Sequence, residues 1–447
     1  MGTKVFNEDR FRKNLYMVYG KREIQIIFSE RVGEPMRMKD SKDILIVSQV
    51  FPPDPASVGQ YLYDVATEMG SRGYHVGVLT SREGYDDPKK KYPIHEQIGN
   101  IEIIRIPNTS FGKGTIFSRI RGYLSFIIKS IYYISVKIKF KTLLFTTVPP
   151  LSSLIGSFVA IVLRKPVCFW VMDINPDQAI ALGVFKKESL SVRILEFFNK
   201  VALRNAKYVV TLDRYMLATL KKKAVIKGYM EIIPPWPHMQ LKEFIPKNKS
   251  VFAENNGLVD RFVVMYSGNH SPANPLDTLL RIAENLKDEE NIVFVFVGGG
   301  TEKGKVERVA ASGKANIVTF PYQPFDKLED MLSAADLHVA VIGETMTGIV
   351  HPSKIYGALG VGRPVLTIGP ERSHLAEIVK KNGVGFHIRH GDVELGSKII
   401  HDLALSSKEE RAIFQKNARQ TIELYYSKSR LCGKLCSFLE EMVEKID

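Results

Sequence analysis

The sequence predicts an α/β protein made of two successive units, each a mainly parallel sheet covered by helices on both faces. Three observations predict it. Short apolar runs alternate with helical stretches from Asp43 onward. The alternation pauses once, at a rigid, proline-rich run 232–237 followed by polar residues 247–256, and then restarts. The charge balance changes at the same place. Of 62 Lys+Arg and 48 Asp+Glu, residues 1–240 hold 36 and 21, a balance of +15, whereas residues 241–447 hold 26 and 27, a balance of −1. A chain of 447 residues accommodates two to four domains.

In the first unit, strands are expected at 44–48, 76–80, 101–106, 143–148, 167–171 and 208–212. Helices are expected at 59–72, 117–139, 151–163, 189–205 and 214–223. In the second unit, strands are expected at 262–267, 292–297, 317–320, 337–341, 364–368 and 385–388. Helices are expected at 276–286, 302–311, 328–334, 353–360, 375–380 and 393–405. The stretch 408–446 reads as helical and able to pack back on the first unit. The expected division is an N-terminal extension 1–40, read as a tail or artefact, a first domain 41–240, a second domain 241–410 and a returning helix 411–447.

With three cysteines there is no disulfide framework, and Cys432 and Cys436 lack further ligands, so no metal site is expected. Residues 1–36 lack the apolar core of a secretory signal. The uncharged stretch 142–163 is interrupted by Pro149-Pro150 and reads as strand, turn and buried helix rather than a membrane span.

Between Glu102 and Asp173 there is no carboxylate but ten basic residues, Arg105 to Lys165. A one-sign face points to an anionic partner. Residues 117–140, rich in Ile, Tyr and Phe and carrying five basic residues, are expected to lie on an anionic membrane surface. The plainer reading is a helix packed on a sheet with snorkelling lysines.

Doubly wound sheets bind ligands at the carboxyl ends of their strands. Candidate loops there are the run Phe51 to Gln60, with Gly59 at a helix start, Ser267-Gly268-Asn269-His270, and Gly298-Gly299-Gly300. The sharpest segment runs from Thr347 to Leu366. Pro352 near a helix start would direct the amides of Gly348, Ile349 and Val350 and the Ser353 hydroxyl at a phosphate. Lys354 stands at the helix end that ordinarily repels cations, which makes sense beside an anionic ligand; otherwise it is a surface lysine.

Gly-x-x-x-Pro-Ser-Lys-x-Tyr followed by Ala-Leu-Gly-x-Gly-Arg-Pro-Val resembles the sugar-nucleotide segment of the family 4 retaining glycosyltransferases. So do the Phe-Pro-Pro-Asp opening loop, Phe169 to Asp177 and Tyr266-Ser267-Gly268-Asn269. The resemblance runs from about Asp43 to the C-terminus and is greatest to the capsule, colanic-acid and O-antigen subgroup. It implies a GT-B fold of two Rossmann-like domains and a nucleotide-sugar donor, with UDP favoured by family habit. It also implies retention of configuration and no required cofactor or metal.

It places donor diphosphate at Gly348, Ile349 and Val350, donor sugar and phosphate by His351, Ser353 and Lys354, the Gly59 loop near the donor, and Tyr322 near the base. The family's two glutamates eight residues apart fall here at Ile349 and Gly357, so that pair is absent. His270-Ser271-Pro272 stands where a cationic pair is usual, and Lys354 is expected to supply the charge, with Arg372 a second source and Glu344 a stand-in for a lost glutamate.

Asp173 is expected either to orient the acceptor hydroxyl or to cap the next helix, with Asp177 and Asp54 weaker acceptor-side candidates. The expected acceptor is a saccharide or a lipid-linked saccharide in cell-surface polysaccharide synthesis, the lipid because the basic apolar face at 117–140 offers it a place, and the expected setting is cytoplasmic, peripheral at the inner face of the plasma membrane. Two other classes are carried: a sugar-nucleotide epimerase of the same architecture, and a non-catalytic basic membrane-binding module. No nucleic-acid motif accompanies the charge.

Overall fold

The computed structural model describes residues 26–28, 40–54, 56–84, 89–108, 116–238 and 244–445. Nine strands form the first sheet: β1 (Ile26–Phe28), β2 (Lys42–Val47), β3 (Val76–Ser81), β4 (His95–Ile98), β5 (Ile101–Ile106), β6 (Phe140–Thr146), β7 (Val167–Trp170), β8 (Tyr208–Thr211) and β9 (Tyr229–Ile232). Their order is β1-β4-β5-β3-β2-β6-β7-β8-β9. β2 pairs in parallel with β3 and β6, and β3 with β5, whereas β4 runs antiparallel to both β5 and β1.

Six strands form the second sheet: β10 (Phe262–Ser267), β11 (Ile292–Val297), β12 (Ile317–Phe320), β13 (Leu337–Val341), β14 (Val365–Ile368) and β15 (Gly385–Ile388). Their order is β12-β11-β10-β13-β14-β15, with every neighbouring pair parallel.

Alternation along the second sheet's strands shows why both faces are dry. Val264, Tyr266, Phe294, Phe296 and Val339 fill one core, while Val263, Met265, Val293 and Val295 fill the other. Side chains on a strand point to opposite faces with period two, so a strand buried on both sides must be apolar throughout. That is how IVFVFV reads at β11.

The strands change sheet between Ile232 and Phe262. By compactness the chain divides elsewhere, into Met1–Cys168 with Cys436–Asp447, and Phe169–Leu435.

Several elements differ from expectation. Ile26–Phe28, inside the stretch read as a tail, is an edge strand; the rest of 1–39 lies outside the described residues. The expected linker follows directly on β9, which ends at Ile232 and whose partly exposed residues and Glu231 hide its strand character. Polar 247–256 contains a 3-10 turn Lys247–Lys249 and a helix Val251–Asn255, capped by the Ser250 hydroxyl on the Ala253 amide. The stretch from 408 is two helices, Lys408–Thr421 and Lys428–Glu444, joined by a π-helical turn Ile422–Tyr426.

The basic run is also not all surface. Arg105 is buried, bonded to Glu96 and to the Pro52 carbonyl, and Lys165 sits over the Phe140 ring.

Candidate functional site

At the end of β10 the chain turns at Gly268, whose φ of +126° is open to glycine and few other residues. A side chain there would also strike Lys354, 2.9 Å from its Cε. Lys354 opens the helix Lys354–Gly360 and reaches back over the Tyr266 ring, its Nζ 5.0 Å from the centroid.

Among the described residues this ammonium makes no hydrogen bond and no ion pair. Burial alone pushes it down from the usual lysine range to about 8. An aromatic face offsets only about 0.5–2 kcal/mol of lost hydration, so the charge is left under-compensated.

The same turn gathers the glycines after β11. Tyr322 donates its hydroxyl to the Gly299 carbonyl at 3.2 Å, and its ring closes on Gly298 and Gly299. Asn269 is exposed there, and its carbonyl accepts the Tyr266 hydroxyl at 2.9 Å. A second cation, which the sequence reading did not single out, lies alongside: Lys303 Nζ donates to the carbonyls of Gly298 (2.8 Å) and Phe320 (3.1 Å). His270 is buried beneath both lysines and held below its usual range, first by burial and further by these charges.

The 347–353 segment is built differently. Gly348 has φ +73°, and a Cβ there would lie 2.8 Å from the Tyr215 carbonyl and the Thr219 hydroxyl of the helix Arg214–Lys223. The Ile349 and Val350 amides donate to the Met346 carbonyl (3.0 and 3.1 Å), so two of the three amides expected to face phosphate are spent on a turn. The Ile349 carbonyl accepts from the Ile174 amide at 2.8 Å. Ser353 is the residue before the helix, with no side-chain cap bond.

His351 is buried in a cluster that the sequence could not show. Its Nδ1 lies 2.7 Å from Asp213 Oδ2, and its Nε2 lies 2.8 Å from the Tyr356 hydroxyl. Asp213 Oδ1 caps the helix Arg214–Lys223, accepting from the amides of Tyr215 (2.7 Å) and Met216 (2.8 Å). Burial raises this carboxyl, but the His351 bond and the Met216 amide oppose that, and it is held at about 2.

His374 stacks on His351 at 3.8 Å with planes 14° apart, and burial drives it down to about 3. Asp213, His351 and His374 have the composition of a metal site. Their geometry does not suit one: a cation in the plane of one imidazole is far out of the parallel plane of the other, and both Asp213 oxygens are already occupied.

The remaining candidates are scattered. Asp173 follows β7, and burial raises its carboxyl to about 6. The next helix, Asp177–Ala181, starts after Pro176, which makes no side-chain cap bond. Asp177 is paired with Lys223 at 2.5 Å, and Asp54 accepts the Ala56 amide in its own turn. Glu344 and Arg372 are exposed. Gly59 belongs to the other compact unit, where its missing side chain lets the helix Ser57–Ser71 approach the Phe51 backbone.

Residues 248–421 match the family described as Glycosyl transferases group 1. This segment is a Glycosyl transferases group 1 domain of GT-B type. The chain is 24% identical over 264 residues to the probable glycosyltransferase WbjE of Pseudomonas aeruginosa, covering 57% of this chain and 66% of that one. It is 23% identical over 332 residues to the putative colanic acid biosynthesis glycosyl transferase WcaI of Escherichia coli, covering 71% and 81%. Among solved structures, Anabaena HepE in complex with UDP-glucose superposes with a TM-score of 0.66 at 14% identity, over 90% of this chain and all of that one. The fold of this glycosyltransferase is GT-B, two α/β domains each built on a largely parallel sheet.

Proposed function

We propose that this glycosyltransferase moves a sugar from a nucleotide-sugar donor, with UDP-sugars favoured, to a lipid-linked saccharide during cell-surface polysaccharide synthesis, with retention of configuration. One observation carries the donor half: Lys354 is a half-buried ammonium with an aromatic ring beneath it and, among the described residues, no anion paired with it, at a glycine-lined strand end. A diphosphate supplies the missing counter-charge. Departure of a nucleoside diphosphate builds negative charge on its phosphates, and a preformed cation in a poorly hydrated site stabilises that charge without reorganising. Lys303 stands by as a second cation, Tyr322 offers a face for the base, and Gly268, Asn269, Gly348 and Ser353 line the donor. The UDP-glucose complex of HepE, which shares the fold, supports this choice of donor.

Asp173 is assigned to the acceptor hydroxyl. Raised to about 6, its carboxyl is ionised at neutral pH and accepts a hydrogen bond from that hydroxyl, while remaining basic enough to share its proton.

The membrane assignment rests on the helix Ile116–Val136. Leu124, Ile128, Tyr132 and Val136 recur every four residues, along one face, and are 42%, 66%, 51% and 51% exposed. Arg121 and Lys139 are exposed near its two ends. Such a stripe sinks into a headgroup layer while flanking cations meet lipid phosphate. Among the described residues no helix is long and apolar enough to cross a membrane. Ile128→Asp together with Tyr132→Asp is expected to lower binding to vesicles of mixed anionic and zwitterionic lipid by about tenfold; unchanged binding removes this assignment.

The test of donor and reaction is turnover of a panel of UDP-, GDP- and ADP-sugars, with and without a polyprenyl-diphosphate saccharide. Acceptor-dependent release of nucleoside diphosphate supports transfer. Conversion of donor alone to an epimeric nucleotide sugar replaces it with epimerisation.

A further inference from the structure

Lys354 is useful only where it stands, and a flexible four-carbon side chain does not place itself. The two flanking positions in the segment that carries it are the ones tied down most firmly. His351, three residues before, and Tyr356, two residues after, meet in a hydrogen bond of 2.8 Å beside the lysine's backbone. Asp213, from 138 residues away in sequence, holds the other side of the His351 ring at 2.7 Å.

An ionised carboxylate only accepts, so His351 Nδ1 must carry a proton, and this fixes the ring's orientation and leaves Nε2 for the Tyr356 hydroxyl. Asp213 is itself immobile, because its second oxygen is the cap of the helix Arg214–Lys223. Below the ring, His374 supplies a flat packing surface. The same helix braces Gly348 at the other end of the segment, and the Ile174 amide braces Ile349. None of these side chains reaches Lys354 directly; they shape the backbone from which it projects.

We propose that Asp213 is a positioning residue for donor phosphate recognition, acting through His351 and Tyr356 on Lys354. This rests on the donor site proposed above. The relay has a definite signature: it serves the phosphates and not the base, so breaking it weakens a nucleoside diphosphate but not the nucleoside.

The test measures UDP binding by calorimetry and uridine binding by ligand-observed NMR, on the full chain. Asp213→Asn keeps a helix cap, since Asn caps as well as Asp. It cannot keep a carboxylate on His351. Asp213→Asn is expected to weaken UDP about tenfold and uridine less than twofold, with His351→Ala showing the same split. The double variant is expected to be no weaker than the worse single one, because both cut the same chain of contacts. His351→Asn, which retains an N–H near the Nδ1 position, is expected to recover a large part of the His351→Ala loss.

UDP affinity within twofold of wild type in Asp213→Asn overturns the proposal, and so does parallel loss of UDP and uridine. Lys354→Met separates the two levels. If Lys354→Met weakens UDP and Asp213→Asn does not, the donor site stands and the positioning role falls. If Lys354→Met binds UDP as wild type does, or the wild type binds none, the donor site falls and takes this role with it. Should Asp213→Asn fail to fold, Tyr356→Phe, which cuts the far end of the relay, is judged by the same criteria.

Discussion

Lys354 and Asp213 are two ionisable side chains removed from much of their water in the same compact unit, and both serve the segment that runs from Gly348 to Tyr356. They are treated in opposite ways. Asp213 has two amides and an imidazole, and its carboxyl is held at about 2 despite burial. Among the described residues Lys354 has a ring face and no hydrogen-bond or ion-pair partner, and burial drags it down to about 8. Both groups lose hydration, and among the described residues only one has that loss met by polar partners within the chain. A charge that is fully met holds architecture together. A charge left unmet is stability given up for a ligand that completes it.

The largest expected effect that could break this contrast is on binding. Lys354→Met is expected to weaken UDP by about a hundredfold, roughly what one desolvated charge-assisted contact supplies at about 2–3 kcal/mol. Calorimetry reads it, and a loss below threefold would place the two charges in the same class.

Stability should move the other way. His351→Ala strands the Asp213 carboxylate and is expected to cost about 3 kcal/mol in denaturant unfolding. Lys354→Met removes an unmet charge and is expected to raise the thermal midpoint by about 2 °C. A fall in the midpoint for Lys354→Met would mean that the ammonium is satisfied after all.

The pH dependence sharpens the same contrast. The folded value for Lys354 lies below its ordinary 10.5, so the free protein loses this proton as pH rises through about 8, and a bound diphosphate restores it. UDP binding should therefore weaken above pH 8 and take up a proton in that range, which calorimetry in buffers of different ionisation enthalpy detects. Turnover should fall on the acid side below about 6, where Asp173 becomes protonated, and Asp173→Asn should erase that limb along with most of the rate. Asp213 shows no such sensitivity near neutrality: its folded value is depressed, so its stabilising contribution is complete above about 4 and is lost only as pH falls towards 2.

The smallest effect is expected at Glu377, which bonds Arg214 and Tyr215 at the surface. Glu377→Ala should shift the midpoint by about 1 °C or less, because exposed ion pairs are worth little.

Much of the fold was readable because buried parallel strands must be apolar on both faces. The runs at β10, β11 and β13 leave little choice of boundary. β4 and β9 escaped because His95-Glu96-Gln97 and Glu231 mark sheet margins where polar groups are tolerated. The Lys354 turn was partly readable, since a cation at a helix start is locally anomalous. The relay was not. Asp213 looks like an ordinary helix cap and His351 like one histidine among ten, and only the folded chain brings residues 138 apart to 2.7 Å. Lys303 escaped for the same reason, being an unremarkable helix-start lysine until β12 brings Phe320 beneath it.

The last dozen residues belong with the first-made part of the polypeptide. Leu439, Met442 and Val443 are buried, Cys436 reaches the Val65 carbonyl, and Glu440 pairs with Arg72. During synthesis the leading unit therefore emerges long before the residues from Cys436 onward that pack with it. A chain cut before Cys436 would damage the portion made first rather than the portion made last.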